Sequence, residues 1–352
     1  MAGYVPRMRV VVTGASGNIG TSLVEALSRD PDVESVLALC RRPPDLTLPT
    51  VTWRRADIRS DDLVEPFRGA DAVVHLAWLF QPTHDPVSTW ENNVEGGMRV
   101  FRAAAAARVP RLVYSSSVGA YAPGSKRDPV PESWPTDGWP GAAYTREKAY
   151  LERVLDAFEL RSPDTAVVRL RPGFVFKHGA ASEQRRLFAG PLLPNGLVRP
   201  GLVPVVPDLP GLRFQVVHAA DAAEAFRLAI HGPASGPFNI AADPVVDAAL
   251  LADCLRAKVI RLPAGPVRAG LAAAWRLHLV PASPGLFDAV LRLPIMDGTR
   301  ARTELGWTPR HTARQAIEEF LRGLRHGAGL PTPALRAGRR LREFATGIGS
   351  RP

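Results

Sequence analysis

The chain has 352 residues, a formal net charge of +10 at pH 7 and 46% hydrophobic residues. This content is typical of a globular protein and too high for a disordered one. No run of about 18 apolar residues occurs, so we expect no transmembrane helix, and no apolar leader precedes the first strand. Two cysteines, Cys40 and Cys254, are too few for a disulfide framework or a zinc knuckle and suit a reducing compartment. We therefore expect a cytoplasmic protein without a structural metal.

The positive charge does not by itself indicate a nucleic-acid-binding protein. Arginine outnumbers lysine by 40 to 4, which points to a compositional bias, and five arginines fall in the last 22 residues. The remaining excess is spread along the chain and accompanies no element that reads bases. We expect a small-molecule substrate as the partner, with neither nucleic acid nor a membrane.

Short β-branched runs alternate with longer helical stretches through the first half of the chain. A strand at Arg9–Thr13 leads through glycines into a helix at Ile19–Ser28. This alternation predicts right-handed crossovers and a doubly wound parallel sheet, which is an α/β fold. Further strands are predicted at Val36–Cys40, Val51–Trp53, Ala72–Leu76, Leu112–Ser115 and Thr165–Leu170, and long helices at Val94–Ala107 and Tyr144–Leu160.

The pattern changes after about residue 173. Proline and glycine become dense between Gly190 and Gly211, and the later helical segments are Ala220–Ile230 and Arg314–Gly323. From Leu330 onwards we expect a loosely held basic tail, in which Leu335–Phe344 could form a short helix.

Three glycines separate the first strand from the first helix at intervals of three residues. Gly14 permits the tight turn, Gly17 lets the backbone approach a pyrophosphate, and Gly20 lets the helix pack closely on the strand. The helix N-terminus offers free N–H groups to phosphates. The turn therefore predicts a dinucleotide cofactor. Its other expected contacts are Ser16, Asn18 and Ile19.

The end of the second strand should lie beside the adenosine ribose. A carboxylate there would favour NAD, but the sequence has Cys40, Arg41 and Arg42. Two guanidinium groups suit a 2′-phosphate, so NADP is favoured and NAD remains possible. Asp57 and Ile58, after the third strand, are expected to flank the adenine.

Tyr144 and Lys148 are four residues apart, one turn of a predicted helix. An ammonium group beside a phenol would lower the phenol pKa and make it a usable acid or base. Upstream, Ser115–Ser117 places hydroxyl groups just past the end of a strand, where ligands bind in an open parallel sheet.

These motifs carry a family resemblance that spans roughly residues 8 to 325 in order. The chain resembles the extended short-chain dehydrogenase/reductase family, also called the NAD-dependent epimerase/dehydratase family. The matching pieces are Thr13–Gly20, His75–Ala77, Asn92–Gly96, Ser115–Ser117, Tyr144 with Lys148, Arg171–Gly173, Val217–Asp221 and Thr303–Pro309.

The resemblance implies a role for each matching residue. Tyr144 would be the acid and base, Lys148 its activator and the ribose anchor, and Ser117 the orienting hydroxyl, a role for which Ser116 is the weaker candidate. The change of pattern after residue 173 divides the chain into a dinucleotide-binding Rossmann domain at 1–173, a smaller C-terminal substrate-binding lobe at 174–326 interleaved with the last strands, and a basic tail at 327–352. Residues expected along the cofactor are Leu76, Ala77, Asn93, Pro172 and Gly173.

The sequence departs from the family's sugar-converting members. Val118 and Gly119 stand where 4,6-dehydratases carry an Asp-Glu pair, and Phe174 stands where epimerases often have Asn. We therefore expect hydride transfer between the nicotinamide and a carbinol or carbonyl carbon, most simply as an NADPH-dependent reductase. The alternatives are a nucleotide-sugar epimerase with retained NAD and a non-catalytic NADP-binding sensor. A homodimer through the two long helices is possible, as the family often forms one.

Overall fold

The computed structural model describes residues 7–81, 83–189 and 202–337, and twelve strands lie in this part of the chain. In chain order they are β1 (Met8–Thr13), β2 (Val33–Cys40), β3 (Val51–Arg55), β4 (Ala72–His75), β5 (Arg111–Ser115), β6 (Ala166–Pro172), β7 (Phe174–Phe176), β8 (Val205–Asp208), β9 (Phe214–His218), β10 (Gly236–Ile240), β11 (Ala242–Val246) and β12 (Lys258–Arg261).

The same ranges contain twelve α-helices, with π-helical turns at Glu91–Glu95 and Arg185–Ala189. The α-helices are α1 (Asn18–Ser28), α2 (Val64–Phe67), α3 (Pro86–Trp90), α4 (Gly96–Ala106), α5 (Ala143–Arg161), α6 (Ala181–Gln184), α7 (Ala219–His231), α8 (Ala248–Leu255), α9 (Ala264–Arg276), α10 (Pro284–Arg292), α11 (Thr299–Glu304) and α12 (Ala313–His326). None of these helices is long and apolar enough to span a bilayer.

Seven parallel strands form the main sheet, in the order β10-β6-β5-β4-β1-β2-β3. The chain moves from β1 outwards to β3 and then returns to β4 on the other side of β1. The strand order therefore reverses between β1 and β4, where Thr13 pairs with His75 at the carboxyl end. The predicted doubly wound α/β sheet is confirmed, and such a reversal point is where open α/β sheets bind ligands.

The valines of β1 explain why helices cover both faces of the main sheet. Val10 and Val12 pack into a core with α1 and α7, whereas Val11 packs into a second core with α4 and α5. Side chains alternate along a strand, so a continuous apolar run needs cover on each side.

The C-terminal half completes the main sheet as well as forming two small sheets, β11-β9-β7 and β12-β8. Strand β10 belongs to the main sheet and α7 packs on its flank, although both elements lie after residue 173. The division into a dinucleotide-binding domain at 1–173 and a substrate-binding lobe at 174–326 therefore stays a proposal. Trp307 is fully buried, and its indole N–H donates to the Asp221 carbonyl on α7 at 2.8 Å. This hydrogen bond joins the segment that follows α11 to α7.

Residues 328–337, the C-terminal strap, differ from the expected loose tail. Thr332 and Leu335 are fully buried, and the Thr332 hydroxyl donates to the Ser16 carbonyl at 2.9 Å. The Arg186 guanidinium donates to two strap carbonyls, at Ala334 and Arg336. The composition of the strap predicts an exposed tail. Its burial comes from apolar side chains that pack against the rest of the chain, which composition does not show. Residues 338–352, with most of the helix suggested at Leu335–Phe344, lie outside the described residues.

Candidate active site

The glycine turn between β1 and α1 requires glycine at two positions. Gly14 has a φ of +73°, and a Cβ there would lie 2.5 Å from the Ala77 backbone nitrogen. A Cβ on Gly20 would collide with the Gly14 carbonyl oxygen. Gly17 is the N-cap of α1, and no side chain in the described ranges caps the helix there. The first N–H groups of α1 are therefore available to an anionic ligand.

Two cavities adjoin at this turn and share Gly14, Gly17 and Leu76. The main cavity, of about 270 Å³, runs along the carboxyl edge of the sheet, and the edge cavity, of about 150 Å³, lies beside the end of β2. The structure thus brings most of the predicted site residues together. The main cavity is lined by Gly14, Gly17, Asn18, Ile19, Gly20, Leu76, Ser117, Tyr144, Lys148, Pro172 and Gly173, and the edge cavity by Ser16, Cys40, Arg41, Arg42, Ile58 and Ala77 among others.

Two predicted cofactor contacts are engaged in the protein instead. The Asp57 carboxylate is paired with the Arg59 guanidinium at 2.9 Å. Asn93 is completely buried and holds the main chain of Leu79, accepting from its N–H at 2.7 Å and donating to its carbonyl at 2.8 Å. Its neighbour Asn92 lines the edge cavity. In the π-helical turn, adjacent asparagines face different surroundings, which sequence spacing does not reveal.

The Tyr144 phenol lies in the main cavity with its pKa raised to about 12. Burial is the main cause, and the negative charge of Glu147 adds to it, while a hydrogen bond with Ser117 opposes both. The sequence predicted a lowered pKa, and that prediction is wrong for the protein as described. Burial disfavours the phenolate more than any neighbouring group favours it.

The position of the Lys148 ammonium explains this difference. Among the described residues, its hydrogen-bond partners are the Ser115 carbonyl at 2.7 Å and the Tyr114 hydroxyl at 3.5 Å, not the Tyr144 phenol. The ammonium also lies 3.4 Å from the centroid of the Trp78 ring. Burial lowers the Lys148 pKa well below its ordinary value.

Gly119 sets the position of the tyrosine ring and was not singled out for this from sequence. A Cβ on Gly119 would lie 2.7 Å from Cε1 of Tyr144. The Gly119 N–H also donates to the Ser117 hydroxyl at 2.9 Å, which orients that hydroxyl. The only available sequence signal was a small residue two positions after the serine.

Ser116 belongs to a buried ionic network behind the cavity. Its hydroxyl donates to Glu152 at 2.5 Å, and the Arg171 guanidinium donates to both oxygens of the same carboxylate at 2.8 and 2.9 Å. Arg169 donates to Glu152 as well, at 3.1 Å. Hydrogen bonds and charge from Arg171 overcome burial and hold the Glu152 pKa at about 2. Ser116 therefore stabilises the junction of α5 and β6, although it also lines the main cavity, and the orienting role of Ser117 stays a prediction.

Glu183, which sequence reasoning missed, borders both cavities. Burial raises its pKa to about 7, against the lowering effects of the positive charges of Arg186 and Lys177. Nothing in the local sequence distinguishes it from a surface glutamate.

The model of the NAD dependent epimerase/dehydratase family matches residues 10–241 of the chain. The chain belongs to this family. This epimerase/dehydratase family member is 28% identical to the uncharacterized protein Rv0501 of Mycobacterium tuberculosis over 328 residues, which cover 89% of this chain and 83% of that one. It is 40% identical over 110 residues to the L-arabinose 1-dehydrogenase (NAD(P)(+)) of Haloferax volcanii, which cover 31% and 41% of the two chains.

A solved structure with the same fold is the UDP-glucose 4-epimerase of Thermus thermophilus in complex with NAD. The TM-score is 0.66 at 23% sequence identity, and the match covers 90% of this chain and 99% of that one. At this identity the likeness shows the fold alone.

The residues that line the glycine turn and the two cavities fit a dinucleotide. The uncapped start of α1 suits a pyrophosphate, and the edge cavity beside β2 has the place and the cationic rim of an adenosine site. Pro172 and Gly173 line the main cavity where a nicotinamide would lie. A Cβ on Gly173 would strike the Gln215 carbonyl oxygen, so glycine is needed there for β9 to pack directly against this backbone.

The far end of the main cavity, beside Phe80, Phe174 and α10, is mainly apolar, although Gln184 lines it as well. Trp78, which the sequence suggested together with Phe80 and Phe174 as a pocket residue, lines both the main cavity and the edge cavity. Leu79, suggested with them, lies instead in a separate cavity behind Tyr144. Wall residues not foreseen from sequence are Leu187, Phe188, Leu286, Ala289, Val290 and Leu293.

Proposed function

We propose that the protein is an NAD(P)-dependent oxidoreductase that transfers hydride between a nicotinamide and a carbinol or carbonyl carbon of a small molecule, working as an NADPH-dependent reductase. The observation that carries the proposal is the meeting of Ser117, Tyr144 and Lys148 with the glycine turn in one cavity. The bound dinucleotide would supply the hydride.

The side chains would handle the substrate oxygen and its proton. With a pKa of about 12, the Tyr144 phenol is protonated at neutral pH and can donate its proton to a carbonyl oxygen as it becomes a hydroxyl. Ser117, oriented by the Gly119 N–H, can hold that oxygen against the phenol. Lys148 would hold the ribose, whereas its hydrogen bonds to Ser115 and Tyr114 do not support the activating role that the resemblance implies.

The preference for NADP rests on the rim of the edge cavity. Arg41 and Arg42 are both exposed there, and Cys40 occupies the position of a ribose-binding carboxylate. Each charge-assisted hydrogen bond contributes about 1.5–3 kcal/mol, so we expect roughly 10–100-fold tighter binding of NADP than of NAD.

The triple variant Cys40→Asp, Arg41→Ala, Arg42→Ala tests this preference. It should reverse the preference, because the 2′-phosphate loses its partners and meets a carboxylate. Titration calorimetry with both cofactors at two salt concentrations measures the effect, and added salt should weaken the preference of the unmodified protein. Tighter binding of NAD by the unmodified protein would contradict the assignment.

A nucleotide-sugar epimerase with retained NAD is the second candidate, supported by the shared fold of the Thermus epimerase. The apolar end of the main cavity argues against it, because sugar hydroxyls need hydrogen-bonding partners. A non-catalytic NADP sensor would need neither Tyr144 nor Lys148, and both lie in the cavity.

The deciding experiment uses the protein as purified. Mass spectrometry of the denatured protein identifies any retained cofactor, and absorbance at 340 nm follows NADPH or NADH with a panel of aldehydes and ketones. Exchangeable NADP(H) with carbonyl-dependent oxidation supports the reductase. Retained NAD(H) with interconversion of UDP-sugars would establish the epimerase, and cofactor binding without either reaction the sensor.

The cellular setting of this reaction remains a proposal. A reductase that draws on the NADPH pool would work in the cytoplasm, and α4 and α5 would supply the faces of a homodimer. Tyr150, on α5, is 43% exposed and packs against the Trp90 ring at 4.9 Å between centroids, so an aromatic surface is present on that side.

A further inference from the structure

A second apolar cavity adjoins the far end of the main cavity. It has a volume of about 330 Å³, and Phe174, Gln184, Phe188 and Val290 line both cavities. The two cavities therefore meet at these side chains, and a ligand that extends from one into the other would pass beside them. We call this second space the phenylalanine cavity, because its wall includes Phe174, Phe176, Phe188, Phe214 and Phe320.

The aromatic rings form a continuous apolar wall. Phe174 packs edge-on against Phe214 with centroids 5.2 Å apart, and Phe176 stacks on Phe320 at 4.5 Å. Two polar residues, Gln184 and Arg185, lie at the rim. The Gln184 side-chain amide donates to the Val175 carbonyl at 2.6 Å, and the Arg185 side chain is also engaged with other groups of the protein. A ligand in this space therefore meets mainly carbon.

A row of rings leads from the candidate proton donor to this space. Phe80 lies 5.1 Å from Tyr144 between ring centroids, and Phe188 lies 4.9 Å from Phe80. Phe188 belongs to the π-helical turn Arg185–Ala189 and stands at the boundary of the two cavities. A substrate whose oxygen contacts Tyr144 would point its remaining atoms along this row.

We propose that the phenylalanine cavity binds an extended apolar chain of the substrate, so that the enzyme acts on long-chain or similarly bulky hydrophobic carbonyl compounds. This inference rests on the proposed function for the position of the reacting carbon. A cavity of about 150 Å³ lined by aliphatic and aromatic groups holds one benzene ring. The phenylalanine cavity is about twice that size and has room for a substantial hydrocarbon segment. Hydroxyl-rich substrates are disfavoured, because buried hydroxyl groups without partners cost free energy.

Binding of linear 1-alkanols tests the proposal without requiring turnover. Each alkanol would place its hydroxyl near Ser117 and Tyr144 and its chain towards Phe188. Calorimetric titration of the full chain, with and without NADPH, should show the Kd falling about fourfold per added methylene. The fall should stop at the length that fills the cavity. A Kd that does not change beyond butanol would overturn the proposal.

Two variants and a matched control locate the chain. Phe320→Leu enlarges the cavity and should move the limiting length to longer alkanols, whereas Leu324→Phe fills it and should move the limit to shorter ones. Phe226→Leu makes the same change in the main core on α7, away from the cavity, and should leave the limit in place. Opposite shifts cannot come from loss of stability, and identical limits in all four proteins would overturn the assignment.

The outcomes separate this inference from the proposed function. Length-dependent alkanol binding by a protein that reduces no carbonyl would support the cavity and contradict the reductase. Reduction of short aldehydes without any gain for longer chains would support the reductase and contradict the cavity.

Discussion

Tyr144 carries the proton on which the proposed chemistry depends. Replacement by phenylalanine keeps the ring in the cavity and removes the phenol, so Tyr144→Phe should lower turnover by roughly 10²-fold or more. Cofactor binding should be retained, because the glycine turn and the edge cavity are untouched. Steady-state kinetics and calorimetry on the same preparation check both statements. Near-normal turnover would show that another group donates the proton.

Gly119 offers a more specific test of geometry. Because a Cβ there would lie 2.7 Å from the tyrosine ring, Gly119→Ala should displace Tyr144 and lower turnover by about tenfold or more while the fold persists. A misplacement of about 1 Å in an active site is enough for losses of this size.

Gly270→Ala is the matched control for this variant. Gly270 lies within α9, and an added Cβ would meet no atom of the described chain within 4 Å. The change should raise the free energy of unfolding by about 0.5–1 kcal/mol and leave turnover unchanged. Equal turnover losses in both variants would mean that the effect at Gly119 is not positional.

The sequence predicted which residues line the candidate site better than it predicted the pKa of Tyr144. The glycines and the pair of Tyr144 with Lys148 follow from spacing, because spacing determines which residues share a turn or a helix face. The raised pKa of the phenol does not follow, because it depends on burial by residues distant in the sequence. Asn93 and Thr332 show the same limit, since their partners Leu79 and Ser16 are identified only by the fold.

At the scale of the elements, Glu152 on α5 joins the helix to β6 through Arg169 and Arg171. Glu152→Gln takes the buried carboxylate away from Arg171, whereas Arg169 keeps Asp156 and Glu159 as partners. The free energy of unfolding should therefore fall by about 3–5 kcal/mol at pH 7, mainly through Arg171. Chemical denaturation followed by circular dichroism measures this difference. A loss below about 1 kcal/mol would show that Arg171 finds other partners.

The same network predicts how this difference depends on pH. The Glu152 pKa is about 2 in the folded protein and 4.5 in its ordinary state. Because the folded pKa is the lower one, the carboxylate contributes its full stability above pH 4.5 and loses it as the pH falls towards 2. The gap between the unmodified protein and Glu152→Gln should therefore narrow over this window.

Most elements of the main sheet were predictable, and those of the C-terminal half were not. Strands β1, β2, β4, β5 and β6 are short, largely buried runs rich in apolar residues, so length and composition identify them. Strand β10 contains glycine and proline and joins the sheet through its neighbour β6. Helix α9 has no buried residue, and Gly265, Pro266 and Gly270 weaken its helical signal in the sequence.

In the whole molecule, the C-terminal strap forms part of the wall of the proposed cofactor site. Pro333 and Ala334 line the edge cavity, and Thr332 donates to the glycine turn at Ser16. Thr332→Val keeps the shape and removes a hydroxyl that donates to Ser16 and accepts from the Leu335 N–H at 3.3 Å. The Kd for the dinucleotide should therefore rise by about twofold to tenfold, mainly through loss of the hydrogen bond to Ser16. Calorimetry measures the change, with Thr303→Val, whose hydroxyl bonds only within α11 and is remote from the cavity, as the control. Equal Kd values in the two variants would contradict a role for the strap.

The bond between Thr332 and Ser16 joins residues 316 positions apart. A ribosome makes the strap only after it has added several hundred residues to the glycine turn. During synthesis, β1 and β2 can pair early, but the edge cavity lacks one wall until the strap has left the exit tunnel. Nascent chains stalled before residue 328 should therefore already contain the sheet and yet hold the dinucleotide more weakly than the released protein.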